Sequence, residues 1–124
     1  MPRSPIQSAL LERLGPIVNL PDGSYQASIT FDREFPGFEG HFPDNPIVPG
    51  VCEISLVELL AQLATGKDTL RTTRIVKVKF RMPLLPGDCA ICAFSLKNEQ
   101  PVVINSTIST PATPRMAVIQ LELS

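Results

Sequence analysis

The sequence predicts an α+β fold, in which a curved antiparallel sheet is wrapped around one central helix. Three observations predict it: an apolar, proline-free segment at residues 51–66, one strand-like segment before it, and four strand-like segments after it. The apolar segment is too long for a typical strand and carries apolar residues on most sides, as a buried helix does. One buried helix among at least five strands is typical of two-layer α+β architecture.

The first third of the chain contains a helix, a strand and a long loop. Residues 5–14 are predicted to be helical, because Pro5 suits a first turn and Gly15-Pro16 ends the helix. Residues 25–31 alternate apolar and polar side chains, as a half-buried strand does. Residues 32–50 are rich in proline and glycine and predict a loop.

The remaining elements follow from apolar patterning and turn chemistry. The central helix is expected to end at Gly66, since glycine accepts the left-handed conformation of a helix C-terminus. Strands are predicted at residues 74–82, 88–96, 102–109 and 116–123, with proline- and glycine-bearing turns between them. We expect one domain over residues 1–124, of which 1–23 form the N-terminal helix and its lead-in.

Bulk composition excludes several classes of protein. A net charge of −1 over 124 residues provides no long-range field for nucleic acid. No apolar run reaches the roughly 18 residues of a membrane span, and the N-terminus lacks the pattern of a signal peptide. We therefore expect a cytoplasmic protein.

A domain this small has little room for a deep site, so a second subunit is expected to complete the site.

The three cysteines, Cys52, Cys89 and Cys92, do not suggest a disulfide framework. Cys89 and Cys92 match a C-x-x-C pattern, but they lie within a predicted strand, where residues three apart point to opposite faces. We expect both to be small apolar fillers. His41 has no second ligand at metal-binding spacing, so no metal site is expected.

The loop around His41 is the strongest candidate for a functional site. Pro43, Pro46 and Pro49 each restrict the backbone, and Gly40 allows a conformation that other residues avoid. A histidine on such a stiff loop is held in place, as a catalytic base must be. Alternatively, His41 is a hydrogen-bonded loop residue with no catalytic role.

The start of the central helix is the second candidate. The first amides of a helix lack intrahelical partners and carry partial positive charge, so Gly50 predicts a site for an anion or a polarised carbonyl group. An ordinary helix start is the alternative.

A polar stripe about 80° wide runs along this otherwise apolar helix, formed by Ser55, Glu58, Gln62 and Thr65. In an apolar setting the pKa of a glutamate carboxyl rises, which makes Glu58 a candidate acid. The stripe is equally compatible with a solvated side or a subunit contact. Glu53 points nearly the opposite way from Ser55, so it is considered separately from the stripe.

Two motifs resemble the β-hydroxyacyl-acyl-carrier-protein dehydratases, which have the hot-dog fold. Residues 38–43 (FEGHFP) and 46–51 (PIVPGV) resemble the histidine loop of that family, and residues 79–88 (KFRMPLLPGD) resemble its second block. The resemblance covers about residues 24–124, and the histidine loop is long and unusual. Residues 1–23 match poorly.

The resemblance implies that His41 removes the α-proton of a 3-hydroxyacyl thioester, whose carbonyl oxygen binds the amide of Gly50. It implies that a carboxylic acid from the central helix of the partner subunit protonates or holds the departing 3-hydroxyl group. It also implies a homodimer or larger assembly, with the acyl chain at the interface, and an acyl carrier protein whose phosphopantetheine arm delivers the substrate. No metal or diffusible cofactor is implied. We expect Val51, Ser55, Gln62 and Phe42 to contact the substrate.

The acid of that family comes fourteen positions after the histidine, where this chain has Ser55. Glu58 lies on the same helix face, about 4.5 Å further along the axis. Either Glu58 serves as the acid, or the acid is absent.

Three functions therefore stay open: a dehydratase with His41 as base and Glu58 as acid, an acyl thioesterase that needs Glu58 but not His41, and a non-catalytic acyl-thioester-binding module. Lys77, Lys79 and Arg81 alternate along one predicted strand and offer a docking patch for an acidic carrier, or a solvated strand face.

Overall fold

The computed structural model describes residues 3–39 and 46–124. Within them it contains two α-helices, α1 (Pro5–Arg13) and α2 (Gly50–Thr65), and a short 3-10 turn at Pro36–Phe38. The strands are β1 (Val18–Asn19), β2 (Tyr25–Thr30), β3 (Thr72–Phe80), β4 (Cys89–Lys97), β5 (Val102–Ser109) and β6 (Ala117–Leu123). Both predicted helices and all five predicted strands are confirmed, with ends that shift by up to two residues.

All six strands form one antiparallel sheet in the order β1-β2-β4-β5-β6-β3. Helix α2 and strand β3 separate β2 from β4 in sequence, although these two strands pair in space. Register shifts interrupt the pairing of β3 with β6 between Thr72 and Arg74 and between Ile75 and Lys77. Such irregularities bend a strand and increase its twist. The α+β class and the hot-dog arrangement of sheet and central helix are confirmed.

Helix α2 is the centre of the core. It packs against β5, β6 and α1, and Leu56, Val57, Leu59 and Leu60 have no exposed surface. The helix ends at Gly66, which has φ +71° and whose amide donates to the carbonyl oxygen of Gln62. A residue with a Cβ is strained at that angle, so glycine fixes the end of the helix, as predicted.

Cys89 and Cys92 lie on opposite faces of β4. Cys92 is buried, and burial raises the pKa of its thiol to about 12. Cys89 is exposed, so the prediction that it is a buried filler is wrong. The error arises because the sheet buries only one face of β4, and residues three apart cannot both reach that face.

Neither α1 nor α2 is both long and apolar enough to cross a membrane, and the same holds for every helix in the described ranges.

Candidate active site

The two residues that carry the loop prediction, His41 and Phe42, lie outside the described residues, as does Gly40. The structure describes the loop again from Pro46, where it approaches the sheet. The amide of Val48 donates to the carbonyl oxygen of Leu84 at 2.8 Å, and the Val48 side chain is buried. This contact anchors the loop directly before the start of α2.

Helix α2 begins with amides that are not capped. Pro49 is the N-cap residue, and it offers no side-chain hydrogen bond to the first turn. The hydrogen bonds of the described residues leave the amides of Gly50 and Val51 unused. With respect to residues 3–39 and 46–124, the helix start therefore presents two amides without an acceptor at its positive end, which is the arrangement that binds a carbonyl oxygen or an anion.

An aromatic ring lies against Gly50 at the start of the helix. A Cβ at Gly50 would come within 2.7 Å of Cε2 and Cζ of Phe80, at the end of β3. Any larger residue would displace this ring.

A cavity of about 380 Å³ opens at this helix start. Its walls come from the loop, the first turn of α2 and the end of β3 with the residues that follow it. The lining residues are Ile47, Val48, Gly50, Glu53, Phe80, Arg81, Met82 and Pro83. Most of these side chains are apolar, and the few polar groups come from the first turn of α2 and from Arg81, as in sites that hold small ligands.

Glu53 is the buried carboxyl group of this cavity. It lies one turn into α2, and only 3% of its surface is exposed. Its Oε1 atom is buried and has no hydrogen-bond partner among the described residues. Burial raises the pKa of Glu53 from an ordinary value of 4.5 to about 8. The positive helix end favours the ionised form by under about 1 kcal/mol, which is too little to offset the desolvation.

Glu58 is placed differently. Its Oε1 accepts a hydrogen bond from Nε2 of Gln7 at 2.8 Å, and its Oε2 accepts from both the amide and the hydroxyl of Thr72, each at 2.8 Å. The carboxylate thus joins α1, α2 and the start of β3. It does not line the cavity at Gly50.

Gln62, further along the polar stripe, also contacts neighbouring segments. Gln62 is buried, accepts a hydrogen bond from Arg3 and donates to the carbonyl oxygen of Leu70 at 2.8 Å. Thr65 donates to the carbonyl oxygen of Ala61 at 2.7 Å. Ser55, at the acid position of the related family, is half-buried. Glu58 and Gln62 therefore connect α2 to the N-terminal segment and to the segment leading into β3, whereas the hydrogen bond of Thr65 stays within α2.

Of the predicted substrate-binding residues that the structure describes, only Gly50 lines the cavity. Val51 is 70% exposed beside it and faces away from the core. Ser55 and Gln62 lie on the side of α2 that meets α1 and Leu70. Glu53 was not predicted to belong to the site, although its spacing of three residues from Gly50 places it on the same helix face as that glycine.

The three basic residues of the predicted patch do not share one environment. Lys77 and Lys79 pair with Gln120 and Val118 on the outer face of the sheet, and Lys77 lines a separate polar depression of about 460 Å³ there. Arg81 follows the end of β3 and lines the cavity at Gly50. Only Arg81 thus adjoins the candidate site.

The residues described do not contain a group of three or more His, Cys, Asp or Glu side chains that could hold a metal ion.

Comparison with known proteins gives consistent results. The 3-hydroxyacyl-acyl-carrier-protein dehydratase FabZ of Wolbachia sp. subsp. Drosophila simulans (strain wRi) is 38% identical over 77 residues, which cover 57% of this chain and 52% of the relative. FabZ of Rhodopseudomonas palustris (strain HaA2) is 37% identical over 90 residues, with 64% and 56% covered. The chain spans about half the length of the curated relatives it matches.

Solved structures share the fold. A chain of the dehydratase heterocomplex ApeI:P from Xenorhabdus doucetiae superposes with a TM-score of 0.66 at 24% identity, over 81% of this chain and 86% of that one. The PaaI protein of E. coli superposes with a TM-score of 0.69 at 16% identity, over 95% and 86%. These likenesses confirm the hot-dog fold. The family model of the ApeI dehydratase matches residues 18–112, most of the chain, and the protein therefore belongs to the ApeI-like dehydratase family.

Proposed function

We propose that this chain is a hydro-lyase that eliminates water from a 3-hydroxyacyl thioester and forms a trans-2-enoyl thioester in acyl-chain synthesis. The observation that carries the proposal is the cavity at the start of α2, where free helix amides and a buried carboxyl group meet apolar walls. Membership of the ApeI-like dehydratase family supports the same reaction.

The helix start supplies the electrostatic part of the reaction. The amide of Gly50 donates to the thioester carbonyl oxygen, and the positive end of α2 stabilises the negative charge that this oxygen gains. That charge develops when the α-proton leaves, so the contact lowers the barrier to proton removal. The absence of a Cβ at Gly50 lets the carbonyl group reach the amide beside the Phe80 ring.

His41 is the base in this proposal, because its loop resembles the histidine loop of the dehydratases and precedes Gly50 by nine residues. Its imidazole takes the proton from C2, the C2–H electrons form the C2=C3 double bond, and the C3–O bond breaks. The departing hydroxyl group takes a proton from a carboxylic acid and leaves as water. A proton transfer from the imidazolium to the carboxylate then restores both groups.

Glu58 is the acid predicted from the sequence. To act in this role its carboxyl group would have to exchange a hydrogen bond with Gln7 or Thr72 for one with the substrate, because these two residues use both of its oxygens.

We propose that a second copy of the chain binds beside the site and forms a dimer. Ile75, Val78 and Phe80 pair with β6 residues that are fully buried against α2, yet these three side chains are themselves half exposed. They lie on the inner face of an edge strand whose outer edge has no partner strand in the described ranges. A twofold pairing through β3 would cover this apolar face and close the cavity that Phe80 lines.

A hetero-oligomer is the competing assembly, since the similar ApeI structure is a heterocomplex.

An acyl carrier protein is the proposed donor of substrate, and Arg81, exposed at the cavity, suits its acidic surface. The cytoplasm is the proposed compartment; the free, uncrosslinked cysteines are compatible with it.

A direct assay tests the function. Purified protein is given crotonyl, octenoyl and dodecenoyl thioesters of N-acetylcysteamine, and loss of the conjugated double bond is measured together with release of free thiol. We expect hydration without thiol release, and loss of hydration in His41→Ala. Thiol release that persists in His41→Ala would identify a thioesterase. Binding of an acylated carrier with neither reaction would identify a non-catalytic module.

A further inference from the structure

We propose that Glu53, rather than Glu58, is the carboxylic acid that protonates the departing 3-hydroxyl group. The proposal rests on the dehydratase function above and assigns the acid of that site. It places the acid two residues before the position that holds it in the related dehydratases, where this chain has Ser55. It also places the acid on the same chain as the Gly50 amide, whereas the resemblance implies an acid from the partner subunit.

Glu53 lies closer than Glu58 to the helix start that is proposed to hold the thioester carbonyl group. Glu53 and Gly50 line the same cavity, whereas Glu58 and Gln62 contact α1 and the approach to β3. Three residues of helix separate Gly50 from Glu53, which is about 4.5 Å along the axis. In a 3-hydroxyacyl thioester the carbonyl oxygen is on C1 and the hydroxyl oxygen is on C3, so three carbons link the two oxygens. One substrate can therefore contact the amide at position 50 and the carboxyl group at position 53 together.

The second argument is hydrogen bonding. Oε1 of Glu53 is fully buried and has no partner in the described part of the chain, a state that costs free energy in a folded protein. A substrate hydroxyl group supplies the missing partner. Both oxygens of Glu58, in contrast, already accept hydrogen bonds from Gln7 and Thr72.

The third argument is protonation. Burial raises the pKa of Glu53 to about 8, so the group carries a proton at neutral pH and is close to the value that suits a general acid. The ionisable neighbours of Glu53 among the described residues do not lower its pKa again. Cys52 and Cys92 are thiols whose pKa is itself raised by burial, and the side chain of Arg81 is exposed to solvent.

The test compares isosteric variants on one substrate. Elimination from 3-hydroxybutyryl-N-acetylcysteamine is measured for the unmodified protein, Glu53→Gln, Glu58→Gln and Glu99→Gln, the last a change of an exposed glutamate between β4 and β5. We expect Glu53→Gln to lower kcat by about 100-fold or more, with a much smaller change in KM. Glu99→Gln should match the unmodified protein, and Glu58→Gln should lose less activity than Glu53→Gln.

A pH profile provides a second reading that needs no substitution. The kcat for elimination should fall as pH rises above about 8, because the acid is then ionised. The pH profile tests whether Glu53 is the acid even if Glu53→Gln does not fold, as judged by circular dichroism and thermal melting.

Three results would overturn the inference while leaving the dehydratase intact: a kcat of Glu53→Gln within about threefold of the unmodified protein, a larger loss in Glu58→Gln, or a kcat that does not fall above pH 8. An unmodified protein that eliminates no water at all would instead refute the dehydratase, and the assignment of its acid with it.

Discussion

Replacing Glu53 by glutamine should change how the stability of the protein depends on pH. The unfolded chain releases the proton of this carboxyl group near pH 4.5, whereas the folded protein keeps it until about pH 8. Between these values the folded state binds more protons than the unfolded state, so the free energy of unfolding falls as pH rises. The contribution of Glu53 is fully present below pH 4.5 and is lost by about pH 8.

The size of the effect follows from the difference between the two pKa values. A difference of 3.5 units, 8 minus 4.5, multiplied by about 1.4 kcal/mol per unit, gives an upper limit of about 5 kcal/mol. Water that enters the cavity on ionisation reduces this value, so a measured loss of about 2 to 5 kcal/mol fits the structure. Glutamine at position 53 has a similar shape and does not titrate, so the variant lacks this loss.

Urea unfolding of both proteins across this pH range measures the effect. All other groups are shared, so the difference between the two free energies of unfolding isolates Glu53. The unmodified protein should lose stability relative to Glu53→Gln as pH rises, and exposed Glu99→Gln should show no such change. A difference that is constant across the range, or that grows in the opposite direction, would refute the idea that this carboxyl group is buried and uncharged at neutral pH.

Three further outcomes are expected. Glu58→Gln should lower the free energy of unfolding by about 1 to 3 kcal/mol, because the acceptor for Thr72 is weakened; urea unfolding measures it. Gly50→Ala should lower kcat/KM for enoyl thioester hydration, because the new Cβ meets the ring of Phe80 at 2.7 Å. Val78→Asp should convert the assembled protein to a monomer in light scattering, because it places a charge on the apolar inner face of β3.

Each of these three predictions has an outcome that would contradict it. A Glu58→Gln protein as stable as the unmodified one would show that the contacts with Gln7 and Thr72 contribute little. An unchanged kcat/KM in Gly50→Ala would show that the substrate does not approach this amide. Val18→Asp, on the opposite edge strand, is the matched control for assembly: if it dissociates the protein and Val78→Asp does not, the interface lies at β1.

The elements of this fold were predictable because their signals are local. Alternation along residues 25–31 and the apolar run before Gly66 depend on neighbours within a few positions, and a helix or strand responds to the same neighbours. The left-handed turn at Gly66 is likewise a property of one residue. Strand ends were less certain because hydrogen bonding to β6, rather than local sequence, determines where β3 begins.

The candidate site was predictable only in part. The sequence identified the helix start at Gly50, since free amides are a general consequence of beginning a helix. It favoured Glu58 over Glu53 because a helical wheel shows which residues share a face, but not what that face contacts. Glu58 receives its hydrogen bonds from Gln7, 51 positions away, and Thr72, 14 positions away.

The sequence by itself therefore determined the fold class, the order of the elements and the presence of a donor site where α2 begins. Tertiary structure decided which carboxyl group adjoins that site. Glu53 is 3% exposed and lines the same cavity as the end of β3 and the loop at Val48. Burial and a missing hydrogen-bond partner depend on contacts between distant segments, and these arise only when the sheet encloses α2.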